Sequence, residues 1–182
     1  MFDVDHFAIE LRNRMRGPDG YRPFVCDGSP LDCRVLIVGC NPATDTETSF
    51  WQYWREGYGF DRASWERDYR SARLAQGKRQ LSNTRHSINV LAGSCAPLKC
   101  LEANVYAKPT KRQSELSAGD IQDSLLAFLV SRIRPQWIVA HGKIARAAVA
   151  GIQFDGVVRA GKHLRFRSHD ELRQLGSEMR DG

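Results

Sequence analysis

The sequence predicts an α/β fold: a three-layer α/β/α sandwich around a mainly parallel central sheet of roughly four strands. The first sign is the apolar, β-branched run Arg34–Val38, which breaks into a glycine and a polar-proline pair, as strands do beside the crevice of an open α/β sheet. The second is a similar design near the C-terminus, where a strand ending in His163 precedes a capped helix. Strand-like and helix-like segments alternate along the chain, which is typical of parallel strands joined by helices. The sequence contains no repeat, linker or low-complexity segment, so we interpret residues 1–182 as a single domain.

The first part of the chain supplies two predicted helices and the first core strand. Apolar residues spaced four apart predict a helix over Asp5–Met15. The segment Gly17–Pro30 is rich in glycine, proline and aspartate, so it is predicted to be a loop that leads to the strand at Arg34–Val38. The aromatic segment Phe50–Phe60 follows, and a charged helix is predicted over Asp61–Ala75.

The middle of the chain predicts helix, strand and helix. Thr84 is expected to cap a helix that Gly93 ends, and a second strand is predicted over Leu98–Tyr106. The clearest apolar stripe belongs to a helix capped by Asp120 and ended before Pro135.

The C-terminal part repeats the strand-and-helix alternation. A third strand is predicted over Trp137–Ala140, a helix over Lys143–Ala150, and a last strand within Val157–His163. Ser168 and Glu171 have the spacing of a capping box, which predicts the start of the final helix.

Composition and charge limit the possible functions. Of the 182 residues 42% are apolar, ample for a core, and no stretch approaches the roughly 20 apolar residues that span a bilayer. The N-terminus lacks the basic start and apolar run of a signal peptide, so we expect an intracellular, cytoplasmic protein without a membrane partner. Lys and Arg number 27 against 21 Asp and Glu, and the net charge of +6 favours a polyanionic partner such as nucleic acid.

The cysteines argue against a metal centre. They are odd in number and include no Cys-x-x-Cys pair, which predicts reduced thiols rather than zinc or iron–sulfur ligands. The five are Cys26, Cys33, Cys40, Cys95 and Cys100.

Five segments, in this order, carry a resemblance to a known family. They are Gly39–Pro42 with Gly-Cys-Asn-Pro, Thr48–Trp51, the pair Glu102–Val105 and Lys108–Thr110, Trp137–Lys143, and His163–Ser168. The set resembles the uracil-DNA glycosylase superfamily, and its outline is most similar to the mismatch-specific uracil/thymine DNA glycosylases. The resemblance implies a monomeric enzyme, without metal or cofactor, that hydrolyses the N-glycosidic bond of uracil or a related damaged base flipped out of DNA.

The resemblance also implies the catalytic residues. Asn41 would hold the attacking water, and because an amide is no base at neutral pH it would orient the water rather than deprotonate it. His163 would donate a hydrogen bond to the carbonyl oxygen of the departing base, and Asn104 would read the polar edge of the base. The alternatives are that Asn41 starts a helix, that Asn104 bonds a neighbouring loop and that His163 is structural.

The remaining site residues follow from the same segments. Expected base-pocket residues are Gly39, Cys40, Pro42, Ala43, Phe50 and Asn104, and expected DNA contacts are Lys108, Lys111, Leu164, Arg165, Arg167 and Ser168. The usual Pro-Ser pair after the motif histidine is replaced by Leu164 and Arg165, which become candidates for a wedge and a phosphate contact. The loop between Pro42 and Phe50 is short for the family, so Phe50, Trp51 or Trp54 is the candidate to stack on the base, although Trp51 is expected to be buried packing.

Other residues are interpreted without a role in the site. The basic cluster Arg62–Arg85 contains interleaved acids and is interpreted as a solvated helix face, and His141 is interpreted as structural. Two further function classes stay open: a nucleic-acid-binding module on the same fold that has lost catalysis, and a small-nucleotide-binding protein or hydrolase.

Overall fold

A five-stranded sheet forms the centre of the computed structural model, which describes residues 3–15, 21–110, 113–116 and 123–182. The strand order is β1-β5-β2-β6-β7, with β1 antiparallel to β5 and the other pairs parallel; β3 and β4 form a separate two-stranded ribbon. The strands are β1 (Phe24–Val25), β2 (Cys33–Gly39), β3 (Trp54–Arg55), β4 (Gly59–Phe60), β5 (Lys99–Asn104), β6 (Trp137–His141) and β7 (Val157–Gly161).

The predicted α/β class and the mostly parallel sheet are confirmed, but the sheet has five strands rather than four. The additional strand is β1, which the sequence placed inside the loop Gly17–Pro30. Two residues are too short to show an alternating pattern, and β1 is a strand only because Phe24 and Val25 pair with Ala103 and Glu102.

Six helices of the described ranges surround the sheet. They are α1 (Val4–Arg14), α2 (Arg62–Ala75), α3 (Asn83–Ser94), α4 (Asp123–Ile133), α5 (Lys143–Ala150) and α6 (His169–Asp181). Helix α5 has the predicted bounds, and the capping box of Ser168 and Glu171 is present at the start of α6. The predicted cap of α3 is wrong: the hydroxyl of Ser82, not Thr84, accepts from the backbone N–H of Arg85 at 3.1 Å. The proposed cap Asp120 lies outside the described residues.

The central strand β2 is buried on both faces. Leu36 and Val38 pack with side chains of α1 and α4, whereas Val35 and Ile37 pack with side chains of α3 and α6. Strands covered on both faces read as continuous apolar runs, which explains why this segment was the clearest strand in the sequence.

The aromatic segment packs as part of the core. Phe50 begins a short 3₁₀ turn, and its ring lies 5.0 Å from Phe24 and 5.2 Å from Phe60. Trp51 is partly rather than fully buried, and the guanidinium of Arg12 lies over its ring at 4.1 Å.

The parallel strands end at one edge of the sheet. Their last residues are Gly39, Asn104, His141 and Gly161, so the loops that follow them meet there. None of the helices in the described ranges has the length and apolar content needed to cross a membrane.

Candidate functional site

An open crevice of about 530 Å³ lies at the carboxyl edge of the sheet. The loop after β2 contributes to its lining, as do the last residue of β5, the last residue of β6 and the turn after β7. The crevice thereby brings together Asn41, Asn104 and His163, which come from three separate segments. The other lining residues of the first and last motifs are Gly39, Cys40, Pro42, Ala43 and Arg165.

Gly39 lets two polar side chains converge at the floor of the crevice. It pairs with Asn104 in the sheet, and a Cβ added to it would lie 2.8 Å from Asn104 Oδ1 and 3.1 Å from His141 Nε2. The contact to Asn104 is closer than a Cβ adopts without a shift, so glycine at the end of β2 lets Asn104 and His141 hold these positions on either side of the strand.

The amide of Asn41 is held by Thr110. Asn41 Nδ2 donates to Thr110 Oγ1 at 2.8 Å and to the carbonyl oxygen of Thr110 at 3.1 Å. These contacts assign the amide orientation and make Oδ1 the acceptor that the side chain offers to the crevice. Residues 41–46 form no helix, so the alternative that Asn41 and Pro42 begin one is wrong.

The arrangement of His163 favours a neutral ring. Its Nδ1 accepts from the backbone N–H of Arg165 at 3.3 Å, which leaves Nε2 as the nitrogen that carries hydrogen. Burial and the neighbouring positive charge of Arg165 lower the pKa of His163 below its ordinary value. At neutral pH the side chain is therefore a neutral hydrogen-bond donor rather than a cation.

His141 is a crevice residue that the sequence analysis missed. It is 4% exposed, its ring meets that of His163 edge to face at 4.5 Å, and its Nδ1 has no hydrogen-bond partner within the described ranges. Burial and the proximity of His163 lower the pKa of His141 to about 3. A structural histidine normally has its ring nitrogens satisfied, so this one is better explained as part of the site. The position of His141 in the sequence could have indicated this role, because the residue ends an apolar strand and is followed by a glycine.

His141 should make the protein sensitive to acid. Its folded pKa lies below the unfolded value near 6.5, so the unfolded state takes up the proton first and stability falls as pH drops from about 6.5 to 3. We expect the unfolding free energy of the parent to lose up to about 1.4 kcal/mol per pH unit more than that of His141→Leu in this window. Urea unfolding at pH 7, 6, 5 and 4 measures the difference, and parallel curves for the two proteins would contradict the assignment.

The structure separates two predicted site residues from the crevice. Phe50 is 3% exposed and lines a separate cavity of only about 10 Å³, so it is not available to stack on a base in this conformation. Leu164 is 1% exposed within the core formed with α3 and α6, so it is not available as a wedge. Both side chains look like surface candidates in the sequence because their loops contain polar and basic neighbours.

The predicted DNA contacts also differ among themselves. Arg165 is exposed and lines the crevice, whereas Arg167 packs so closely on Gly161 that an added Cβ there would overlap Arg167 Nη2. Ser168 is engaged in capping α6. Lys108 is partly exposed outside the crevice lining, and Lys111 lies outside the described residues.

Part of the basic cluster Arg62–Arg85 also lines the crevice. Arg73, Arg79 and Arg85 line it; the interpretation as a solvated face is wrong for Arg85, which is buried, whereas Arg79 is exposed and Arg73 is partly exposed. Arg85 forms a buried ion pair with Glu102 through Nη1 and Oε2, and Arg62 Nη2 lies 3.4 Å from the other oxygen of the same carboxylate.

The chemistry of the crevice is therefore that of amides, neutral imidazoles and arginines. In the part of the chain that the structure describes, no three His, Cys, Asp or Glu side chains are grouped so as to hold a metal ion, and all five cysteines are free thiols. No protein-family model matches the chain, and no curated protein sequence is significantly similar to it.

Proposed function

We propose that the chain is a monofunctional DNA glycosylase of the uracil-DNA glycosylase type, which hydrolyses the N-glycosidic bond of uracil or a related base flipped out of DNA. The observation that carries the proposal is the shared crevice of Asn41, Asn104 and His163 at the carboxyl edge of the sheet. The proposal includes the three-layer α/β/α arrangement, a monomeric state, intracellular DNA as the partner and no cofactor.

Asn41 and His163 act at opposite ends of the bond that is cleaved: Asn41 positions the attacking water, and His163 stabilises the departing base. The bond between C1′ of the sugar and the base nitrogen breaks with its electrons staying on the base, which leaves an electron-poor sugar and an anionic base. Asn41 Oδ1 accepts a hydrogen bond from the water whose oxygen then bonds to C1′, and the released proton passes to solvent. His163 Nε2–H donates to the carbonyl oxygen where the negative charge of the base develops, and a neutral donor is sufficient for this role.

Asn104 supplies base recognition. A side-chain amide offers an acceptor to the N3–H of uracil and a donor to its O4, so one fixed amide matches the polar edge of the base. The neighbouring His141 is close enough, across Gly39, to restrict where that edge lies.

An excision assay tests the proposed function. Duplex and single-stranded oligonucleotides, each with one uracil, mismatched thymine or other modified base, are incubated with the protein and then treated with alkali to cleave abasic sites. We expect strand cleavage at uracil or a related base and none in the matched normal duplex. If no lesion gives an abasic site at equimolar enzyme, the catalytic proposal is wrong.

Ala43 should set the substrate range. It lines the crevice directly after Pro42, where a side chain as small as alanine cannot block a substituent at C5 of the base. We expect the parent to accept uracils enlarged at C5 and Ala43→Tyr to reject them, a discrimination worth roughly 1–3 kcal/mol per methyl. Rates on uracil and a 5-substituted uracil in matched duplexes measure it. A parent that already rejects the larger base, or a variant that accepts both equally, would exclude Ala43 as the gate.

A second candidate is a nucleic-acid-binding module without catalysis. It is favoured by the burial of Phe50 and Leu164, which leaves the crevice without the expected stacking ring and wedge. In that case the protein would bind the lesion-containing oligonucleotides and leave them intact. The small-nucleotide alternative would instead give binding of the free nucleotide.

A further inference from the structure

Some arginines of the crevice have a carboxylate partner that balances their positive charge, and others have none among the described residues. Five of them line it, and Glu102 is the single carboxylate among the described lining residues. That carboxylate is already engaged by Arg85 and Arg62. Arg22, Arg73 and Arg79 make no ion pair with any carboxylate within the described ranges.

Neutral partners hold two of these arginines in place. Arg73 Nε donates to the backbone carbonyl of Arg79 at 2.7 Å, and Arg79 Nη2 donates to Asn83 Oδ1 at 2.7 Å. Each guanidinium has five N–H donors, so these bonds position the group without neutralising it and leave several donors for a ligand. The last turn of α2, with Arg73, and the connection to α3, with Arg79, thus present two oriented and uncompensated cations to the crevice.

The third arginine, Arg22, lies in surroundings that disfavour its positive charge. Arg22 lies over the ring of Trp65 at 5.1 Å, and its contact with the Thr44 carbonyl oxygen is long at 3.4 Å. Burial, together with repulsion from Arg85, lowers the pKa of Arg22 to about 10. An anion that enters the crevice would relieve this repulsion.

We propose that Arg73 and Arg79 form a phosphate-binding wall for a nucleic acid strand whose base enters the crevice. This inference rests on the proposed function, because the crevice that receives the base fixes where the strand passes. Planar guanidinium groups bind phosphate oxygens through paired N–H donors, and Arg73 and Arg79 each keep donors free for such bonds on the same open crevice. Arg165, which comes from the turn after β7, supplies a further cation on the same crevice.

Helix α2, which carries Arg73, also offers a matched control for the wall. Arg67 and Arg70 do not line the crevice; Arg67 Nη2 donates to Ser64 Oγ at 3.1 Å, and Arg70 Nη2 lies 3.6 Å from Glu66 Oε2. The double variant Arg67→Ala/Arg70→Ala therefore changes net charge by the same amount as Arg73→Ala/Arg79→Ala.

Equilibrium binding to a duplex with an uncleavable uracil analogue tests the wall independently of catalysis. Fluorescence anisotropy over a series of salt concentrations should show that Arg73→Ala/Arg79→Ala binds roughly tenfold more weakly. The slope of log K against log salt should shrink by about 1.8, or about 0.9 per lost phosphate contact. The control pair should match the parent in both quantities. The variant Arg73→Gln/Arg79→Gln, which keeps amide donors for the internal bonds, gives the same comparison if the alanine pair fails to fold.

The outcomes separate the wall from the proposed function. Wall-dependent binding by a protein that excises no base would support the wall and contradict the glycosylase. Excision by a protein whose salt slope is the same in the wall variants and the parent would overturn the wall alone. An equal loss of DNA affinity in Arg67→Ala/Arg70→Ala would show that only net charge matters and would overturn the wall. Displacement of the DNA by an equal concentration of deoxyuridine monophosphate would also overturn it, because the site would then bind a single nucleotide as well as a strand.

Discussion

Asn41→Ala and His163→Ala should each lower the single-turnover excision rate by about 10²-fold or more. Asn41 is fixed by two contacts to Thr110, so its free oxygen is oriented before any water arrives, and alanine removes that acceptor completely. His163 carries the donor for the departing base, and alanine leaves the developing charge without it. Both contributions belong to the transition state, so the affinity for DNA with an uncleavable base should change little.

Single-turnover kinetics with enzyme in excess measures the chemical step without product release. Asn13→Ala on α1 and His86→Ala on α3 are matched controls, since both side chains are exposed and neither lines the crevice. We expect the controls to retain the rate of the parent. Parental rates in Asn41→Ala or His163→Ala would remove that residue from the mechanism.

Glu102→Ala should be the most destabilising of the single substitutions considered, at about 3–5 kcal/mol of unfolding free energy. Glu102 is buried and is paired with Arg85, whose guanidinium lies over Trp65 at 4.7 Å and Tyr69 at 5.6 Å. Removal of the carboxylate leaves the positive charge of Arg85 buried without its counterion, beside the already repelled charge of Arg22.

Urea unfolding at neutral pH measures this loss, and a surface pair provides the control. Asp32 accepts from Lys99 Nζ at 2.9 Å, but the two side chains are 56% and 52% exposed. Solvent weakens such a pair, so Asp32→Ala should cost less than about 1 kcal/mol. A similar small cost for Glu102→Ala would mean that the buried arginines find other compensation.

The parts of the fold that depend on residues close together in the sequence were predictable from it. Within the predicted strand Arg34–Val38 the apolar residues Val35–Val38 are buried on both faces, and these residues alone predicted the strand that lies at the centre of the sheet. The capping box of Ser168 and Glu171 lies within one turn of chain and predicted the start of α6. The strand β1 was not predictable, because its two residues are a strand only through their pairing with β5.

The sequence predicted which strand ends carry the residues of the candidate site, but it did not predict the contacts that these residues make. Asn41 depends on Thr110, which lies 69 residues away, and no local pattern connects them. Glu66 has the i,i+4 spacing to Arg62 and Arg70 that any helix brings together, but only the fold shows that Arg62 also meets Glu102 and that Arg73 and Arg79 line the crevice without a carboxylate partner in the described part of the chain. Phe50 is a core residue because of packing against Phe24 and Phe60, which the sequence does not display.

The close approach at Gly39 limits how the selectivity of the crevice could be redesigned. Every L-amino acid other than glycine adds a Cβ that would lie 2.8 Å from Asn104 Oδ1, so a substitution here would force the two polar side chains to shift. Ala43 instead lies on the loop after β2 with an exposed side chain. A combinatorial library aimed at a new base would therefore vary Ala43 and keep glycine at the end of β2, so that Asn104 and His141 hold their positions.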